Sequence, residues 1–380
     1  MRYLVALSTL TGALLLTLTS CSSAAPNPQS ASSPTPSAAS SASSAPGAAG
    51  TITLSWAGDN ILGSDPQFGG LTLPAAWKQS GNDPNYFFQN VKKYFDNDDL
   101  TIANFEVSLT TDTRKPRTKP GTGNFFFNGD PALAATLPAG GIEVVTIANN
   151  HTWDYGRRGF NETTAALDGV GVKYVGYGNT DYDGSDYDYT LVQDVKGIKV
   201  GLASYQTWQD TPQIRTKIRA DMAGLRQRGA DVVIPYFHWG IEAVHEPYGV
   251  QQDLARVAID AGADAVIGTH PHVLQSMDVY KGKLIAYSLG NFAFGGNTNP
   301  TDKRTAILQT KLHVVDGAVR GVDYRVIPTR VSRTEDYNDY VPTPYTGAPR
   351  RQVLTWLNGL SPSLNGTIND KFTPVPQPVR

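Results

Sequence analysis

The chain has 380 residues, a formal net charge of −2 and 17% charged residues. This balance supplies no basic field for nucleic acid, so nucleic acid is not expected as a partner. Cys21 is the only cysteine, which excludes an internal disulfide and any further thiolate metal ligand.

The first segment is typical of a secretory signal. Residues 1–20 begin with Met1-Arg2 and continue through an apolar stretch, and Leu18-Thr19-Ser20-Cys21 resembles the bacterial lipobox. The apolar stretch is shorter than the roughly 20 residues that a membrane-spanning helix needs. We therefore predict a lipoprotein signal peptide, with Cys21 as a lipid anchor that holds the protein outside the cytoplasm on the bacterial cell membrane. The alternative is a plain secretory peptide.

Composition then divides the rest of the chain. Residues 21–50 are almost entirely Ser, Ala, Pro, Gly, Asn and Gln, a mixture that cannot bury enough apolar surface to fold, so they are predicted to form a disordered tether. Residues 51–330 are predicted to form the folded domain. Residues 331–380, rich in Pro, Thr and Asn, are predicted to form a C-terminal extension.

Strand and helix patterns alternate through the domain. Strands are predicted over 52–56, 100–103, 142–147, 172–175, 189–195 and 199–204, in the runs ending at His238 and Ile267, and over 284–288, 306–314 and 322–327. Helices are predicted over 86–95, 131–137, 156–167, 212–228, 251–260 and 351–357. Alternation followed by a strand-rich stretch indicates a layered α/β domain with a mixed sheet or two packed sheets.

Polar residues gather where the predicted strands end. Five of the six histidines lie in the segments 149–154, 238–245 and 268–272, each of which follows an apolar strand. Ligands of open α/β sheets bind beyond the carboxyl ends of the strands. The residues at these ends are the candidate metal ligands Asp59, Glu106, Asn150, His238, His270 and His272. His245 and His313 lack this context and are interpreted as structural.

The donor types indicate the chemistry. Carboxylate, amide and imidazole together suit one or two divalent transition ions such as Mn, Fe or Zn, and a two-metal site favours hydrolysis. Because alternate residues of a strand face opposite sides, Pro271 must bend the chain if His270 and His272 are to act together. His151 is a candidate general acid that Asp154 would orient. The alternative role for Asp154 is to cap the helix near Gly156.

Several motifs in the chain carry a family resemblance. They are Gly58-Asp59, Asn104-Phe105-Glu106, Asn149-Asn150-His151 with Asp154, His238-Trp239-Gly240 with Glu242, Gly268-Thr269-His270-Pro271-His272, and Ser288-Leu289-Gly290-Asn291-Phe292. In this order they resemble the poly-γ-glutamate capsule synthesis protein family (CapA), which is related to the calcineurin-like metallophosphoesterases. The resemblance implies a sandwich of two mixed β-sheets flanked by helices, and a two-metal centre.

By that resemblance the six strand-end residues would be metal ligands and His151 the proton donor. The other polar residues of the motifs are candidate substrate-binding residues: Asn104, Asn149, Glu242 and Asn291. The chain departs from the Asp-x-His motif of the phosphoesterases, because Ile61 stands at the third place. One metal position therefore lacks a ligand.

Two functions follow from these patterns. The first is a metal-dependent hydrolase or transferase that acts on an anionic envelope polymer, either poly-γ-glutamate or a phosphate-bearing one. The second is a non-catalytic protein that binds poly-γ-glutamate for export. Capsule-synthesis proteins of the membrane are possible partners of either. The basic run 114–119 is either a grip for the polymer or a solvated loop, and four aromatic side chains near the motifs are candidate walls of a substrate slot: Trp153, Trp208, Trp239 and Phe292.

Overall fold

A computed structural model of the protein describes residues 47–112, 114, 125–179 and 186–377. The predicted signal peptide with Cys21, the tether as far as residue 46 and most of the basic run 114–119 lie outside these residues. None of the helices in this part of the chain has both the length and the apolar character needed to cross a membrane.

The described residues form eighteen strands and seven α-helices. The strands are β1 (Gly50–Ile61), β2 (Leu100–Phe105), β3 (Ser108–Leu109), β4 (Asn128–Gly129), β5 (Val144–Thr146), β6 (Lys173–Asn179), β7 (Asp186–Tyr189), β8 (Leu191–Val195), β9 (Ile198–Gln206), β10 (Val232–His238), β11 (Ala265–Thr269), β12 (Met277–Tyr280), β13 (Lys283–Ala286), β14 (Asn291–Phe294), β15 (Arg304–Val315), β16 (Ala318–Arg330), β17 (Thr343–Pro344) and β18 (Thr373–Pro374). The α-helices are α1 (Leu73–Gln79), α2 (Lys92–Phe95), α3 (Thr136–Gly140), α4 (Gly156–Gly169), α5 (Pro212–Gln227), α6 (Gly249–Asp260) and α7 (Gly347–Leu360).

Sixteen strands join in one mixed sheet with the order β12-β13-β11-β10-β9-β6-β5-β2-β1-β15-β16-β17, and β7, β8, β14 and β18 pair alongside. The strands from β1 through β11 that lead to the site run parallel, whereas β15 and β16 are antiparallel. The sheet curls until its two halves face each other. Trp56 of β1 lies 6.3 Å from Tyr236 of β10 between ring centroids, and the Tyr236 hydroxyl donates a 2.7 Å hydrogen bond to the Ala57 carbonyl.

Three apolar clusters fill the layers. One lies between the facing halves and joins residues of β1, β10 and β15. A second packs α1, α3 and α4 on the outer face of β1, β2 and β5, and a third packs α5 and α6 on the outer face of β9, β10 and β11. This order of helix, sheet, sheet and helix confirms the predicted fold class. Residues 331–377 pack on the same domain, since Val353 and Leu357 of α7 join the central cluster and β17 and β18 pair with β16.

The boundaries of the elements differ from prediction in the first third of the domain. The helix predicted over 86–95 is wrong as far as residue 91, and only α2 is helical. Phe87, Phe88 and Val91 are all fully buried. Turns hold this segment instead, such as the one closed by the Val91 amide, which donates to the Phe88 carbonyl at 3.0 Å. Residues 131–135 form a 3₁₀-helix before α3, and α1 was not predicted.

Candidate metal centre

The candidate ligands lie at the carboxyl ends of two pairs of neighbouring strands, β1 with β2 and β10 with β11, and in the loop after β5. Asp59 of β1 pairs in register with Asn104 of β2, and His238 of β10 pairs with Thr269 of β11. Gly58 allows the backbone to approach here, because a Cβ at this position would lie 1.8 Å from the Gly290 carbonyl oxygen. The close approach lets the Asp59 amide donate to that same carbonyl at 2.9 Å.

Glu106 lies at the centre of the group. Its side chain is fully buried, and neither carboxylate oxygen has a hydrogen-bond partner among the described residues. Three imidazole nitrogens surround Oε1: Nε2 of His238 at 3.4 Å, Nε2 of His272 at 3.9 Å and Nε2 of His151 at 4.0 Å. A buried carboxylate without hydrogen bonds is costly unless a cation compensates it.

Asp59 is held by neighbours on both sides. Its Oδ1 accepts a 2.7 Å hydrogen bond from the Asn104 side-chain amide. Its Oδ2 lies 3.3 Å from Nδ1 of His272 and accepts from the His270 backbone amide, also at 3.3 Å. The carboxylate is therefore fixed in orientation toward both histidines of the His270-Pro271-His272 segment.

His238, His270 and Asn150 converge on one point. Nε2 of His238 lies 2.6 Å from Oδ1 of Asn150 and 3.1 Å from Nδ1 of His270. Two imidazole nitrogens this close can share one proton or one cation. The Trp208 ring lies 4.5 Å from the His270 ring between centroids and is 41% exposed, so it covers this point from the solvent side.

The bend expected at Pro271 is present. His270 has φ +95° and His272 has φ +56°, a region that costs a non-glycine residue about 1–3 kcal/mol. The result is that both imidazoles face the same carboxylates, with their ring centroids 5.6 Å apart. The side-chain amide and carbonyl of Asn291 contact the carbonyl and ring of His272 at 3.0 and 2.9 Å, which supports the strained turn.

The charges of the group are strongly coupled. Burial opposes ionisation of Glu106, but His238 and His272 outweigh it and hold the pKa of Glu106 well below its usual range. Burial lowers the pKa of His272, whereas Glu106 and Asp59 outweigh that effect and raise it to about 10. Burial and the adjacent His238 lower the pKa of His270. The group thus combines an anionic Glu106 and a neutral His270 with a protonated His272, whose proton a bound cation would have to displace.

Two sets of side chains could hold a metal ion. They are Asp59 with Glu106 and His238, and Glu106 with His270 and His272, and within each set the ligand atoms lie within 4.8 Å of one another. Glu106 belongs to both sets and would lie between two ions. With Asn150 beside His238, the structure brings all six predicted ligands together. Their oxygen and nitrogen donors fit a divalent transition ion.

His151 and Asp154 form a buried pair at the rim of this group. Nδ1 of His151 lies 2.7 Å from Oδ2 of Asp154, which also accepts a 2.6 Å hydrogen bond from the Phe127 amide. The alternative that Asp154 caps α4 is wrong, because Tyr155 occupies the N-cap and no side-chain hydrogen bond caps this helix. Asp154 is placed instead to orient the imidazole, whose Nε2 faces Glu106.

The four candidate substrate-binding residues occupy different places. Asn104 and Asn149 are buried and bonded to each other at 3.3 Å, and Asn149 also accepts from the His151 amide at 3.1 Å. Both therefore position other site residues. Asn291 supports His272, as described above. Glu242 alone is exposed, at the wall of a cleft of about 520 Å³ beside the centre.

The cleft leads from His151 and His272 to the surface. One wall is aromatic and contains Phe68 with Phe125 and Phe127, whose rings stack 6.1 Å apart. The sequence did not indicate this wall, because Phe125 and Phe127 follow the basic run and Phe68 lies far before it, and none of the three lies in a predicted strand. Of the four aromatic residues predicted to line a substrate slot, Trp208 contacts His270 of the candidate metal centre. The other three are buried in the hydrophobic core: Trp153, Trp239 and Phe292.

The two histidines interpreted as structural have other partners. Nδ1 of His245 contacts the Leu274 carbonyl at 2.8 Å. His313 lies on β15, where its Nε2 contacts Asp323 at 3.1 Å. Neither belongs to the two ligand sets.

Comparison with known proteins agrees with the geometry. The family model described as bacterial capsule synthesis protein PGA_cap matches residues 53–296, a span that contains all six candidate ligands. The chain belongs to this capsule synthesis family. The family resemblance seen in the sequence is thereby confirmed.

Curated relatives in the family carry names that refer to polymer synthesis. The chain is 31% identical to the capsule biosynthesis protein CapA of Bacillus anthracis, over 66% of each chain. It is 29% identical to the PGA biosynthesis protein CapA of Bacillus subtilis, over 64% of this chain and 63% of that one. It is 26% identical to a probable polyglutamine synthesis accessory protein of Mycobacterium tuberculosis, over 70% and 73%. The match thus spans just under two thirds of the two Bacillus proteins.

Two solved structures align more distantly. A hypothetical protein from Thermus thermophilus has a TM-score of 0.41 and 17% identity, over 73% of this chain and 99% of that chain. A novel phosphatase from Mycoplasma pneumoniae has a TM-score of 0.44 and 15% identity, over 74% and 95%. These likenesses carry no argument about activity.

Proposed function

We propose that this protein is a metal-dependent hydrolase or transferase that acts on an anionic polymer of the cell envelope. The observation that carries the proposal is that five further donor side chains gather with the buried Glu106. The names of the relatives favour poly-γ-glutamate as the polymer. The lipobox-like sequence before Cys21 supports attachment to the outer side of the cell membrane by a lipid.

Asp59, Glu106, Asn150, His238, His270 and His272 would hold one or two divalent ions. A bound ion of this kind polarises a phosphoryl or carbonyl group and activates water. Asn104 fixes the Asp59 carboxylate, and Asn291 fixes His272. The hydrogen bonds from Asn104 and Asn291 orient the candidate ligands in the absence of a cation. Less conformational entropy is therefore lost when a cation binds.

His151 would supply the proton for the leaving group. Asp154 accepts from Nδ1, so it favours a proton at both nitrogens and stabilises the charged imidazole. Nε2 then faces the centre, 4.0 Å from Glu106 Oε1. The Phe127 ring packs 4.2 Å from the imidazole and keeps its orientation. A general acid held in this way contributes about 10²–10⁴-fold to a rate.

Metal analysis of the purified protein, paired with turnover of phosphodiesters and γ-glutamyl peptides, tests the proposal. His270→Ala is expected to lose both bound transition metal and turnover, because it removes one side of a ligand set. His313→Ala is the matched control, since His313 lies on β15 outside both sets, and it should retain both. Metal-free protein with full turnover would reject the proposal, as would a His270→Ala variant that keeps its metal and rate.

The second candidate is a protein that holds the polymer without cutting it. Ile61 favours it, because this residue stands where the phosphoesterase motif has histidine and is fully buried in an apolar cluster. This candidate predicts salt-sensitive polymer binding that survives a chelator. Cleavage of bound polymer, or loss of binding with the metal, would exclude it.

A further inference from the structure

A basic pocket lies on the face of the domain where α2, β16 and the start of α7 meet. It has a volume of about 480 Å³, and three cationic side chains line it, Lys93, Arg325 and Arg350, against a single carboxylate, Asp370. None of these residues belongs to the candidate metal centre or to its cleft.

Two of the three cations of this pocket, Lys93 and Arg325, have no acidic partner within the described part of the chain. Arg325 donates through Nε to Gln309 at 2.7 Å and lies over the Phe372 ring, but has no acidic partner there. Lys93 is exposed, and its amine contacts only the Tyr94 ring. Arg350 pairs with Asp370 through Nη1 at 2.6 Å, while its buried Nε has no hydrogen-bond partner. A buried N–H group of this kind is expected to have an acceptor.

A further depression shares lining residues with both the basic pocket and the cleft beside the candidate metal centre. His245, Thr301 and Asp302 line both the cleft and a neighbouring depression of about 780 Å³. Tyr345 lines both that depression and the basic pocket. The depression therefore lies between the cleft and the three cations, because it borders both. Neither Lys nor Arg occurs among the described residues that line the cleft itself.

We infer that the Lys93, Arg325 and Arg350 pocket is a distal subsite that binds anionic groups of the polymer whose other end lies in the metal cleft. The choice of a polymer as ligand rests on the proposed function. A polymer with repeated anionic groups needs cationic contacts along its length. Apart from histidines, the charged residues that line the described cleft are the acidic Glu242 and Asp302, so the cationic contacts must come from outside the cleft. Carboxylate and phosphate groups both match the donors of this pocket.

Binding of full-length protein to long poly-γ-glutamate and to a glycerol-phosphate polymer, measured at low and high salt, tests the inference. Each of two variants, Lys93→Gln and Arg350→Gln, should raise the Kd of one polymer by about three- to tenfold. A change of this size lies between the loss of an exposed ion pair and the loss of a charge-assisted hydrogen bond. The polymer affected identifies the anion. The difference should shrink at high salt, and turnover of a small phosphodiester should not change.

Arg351→Gln is the matched control, because Arg351 is the exposed next residue of α7, does not line the pocket and loses the same charge. It should bind both polymers within about twofold of wild type. Arg350→Gln leaves Asp370 without its partner, so this variant could fail to fold. In that case the Lys93→Gln variant decides the test, because the Lys93 amine makes no hydrogen bond to the described residues. Wild-type Kd values in Lys93→Gln for both polymers would overturn the inference. If Lys93→Gln weakens binding in a protein without turnover, the subsite stands and only the proposed catalysis fails.

Discussion

Replacing Glu106 by glutamine should separate the stability of the fold from the stabilisation by metal. The wild-type carboxylate is buried, and its removal from water costs several kcal/mol. An opposite charge about 4 Å away stabilises a carboxylate by about 4 kcal/mol at an effective dielectric constant of 20. Three imidazole nitrogens lie 3.4 to 4.0 Å from Glu106 Oε1. The protein alone therefore roughly balances this charge, and a bound cation adds a net gain.

The gain can be measured by thermal unfolding. A cation at 100 times its Kd stabilises the folded state by about 2.7 kcal/mol, which corresponds to a rise in Tm of about 5 °C for a domain of this size. In Glu106→Gln we expect this rise to fall below about 2 °C, while the free energy of unfolding in chelator stays within about 1 kcal/mol of wild type. Glu242→Gln, the same change at the exposed cleft wall, should keep the full rise.

The result that refutes this reasoning is a Glu106→Gln protein whose Tm still rises with metal as in wild type. A second contrary result is a variant several kcal/mol less stable than wild type in chelator. That outcome would mean that the imidazoles alone stabilise the carboxylate and that no cation is needed to explain its burial.

Two further predictions concern carboxylates outside the ligand sets. Asp154→Asn should lower kcat by about 10- to 100-fold through loss of the 2.7 Å contact that orients His151, with KM and metal content unchanged; an unchanged kcat would exclude His151 as the acid. Burial raises the pKa of Asp98 to about 7, against hydrogen bonds from Ser55 and Thr101 that lower it. The folded state thus keeps a proton that the unfolded state loses above about pH 4, so stability falls as pH rises from about 4 to 7. Because the side chain is partly exposed, we expect about 1–2 kcal/mol, and Asp98→Asn should flatten that part of the denaturation profile; a parallel profile would contradict the assignment.

The sequence predicts which side chains come together because their positions follow from a local rule. Asp59, Glu106, His238 and His270 each come directly after an apolar strand, and the carboxyl ends of parallel strands meet at one edge. The supporting contacts do not follow from such a rule. Asn104 precedes Glu106 by two residues, and its hydrogen bond to Asp59 depends on the register between β1 and β2.

Sites assembled from distant segments could not be predicted from the sequence, because no local rule places their residues. The basic pocket combines Lys93 with Arg325 and Arg350, which the sequence separates by more than 200 residues, and only the pairing of β17 with β16 and the packing of α7 bring them to one surface. The C-terminal extension thus completes both the sheet and the pocket. Removal of residues beyond 330 would therefore take Arg350 and Asp370 out of the pocket and Val353 and Leu357 out of the central cluster. The family match ends at residue 296, so Arg325, Arg350 and Asp370 of the pocket lie beyond the part of the chain that the family model describes, whereas all six candidate ligands lie within it.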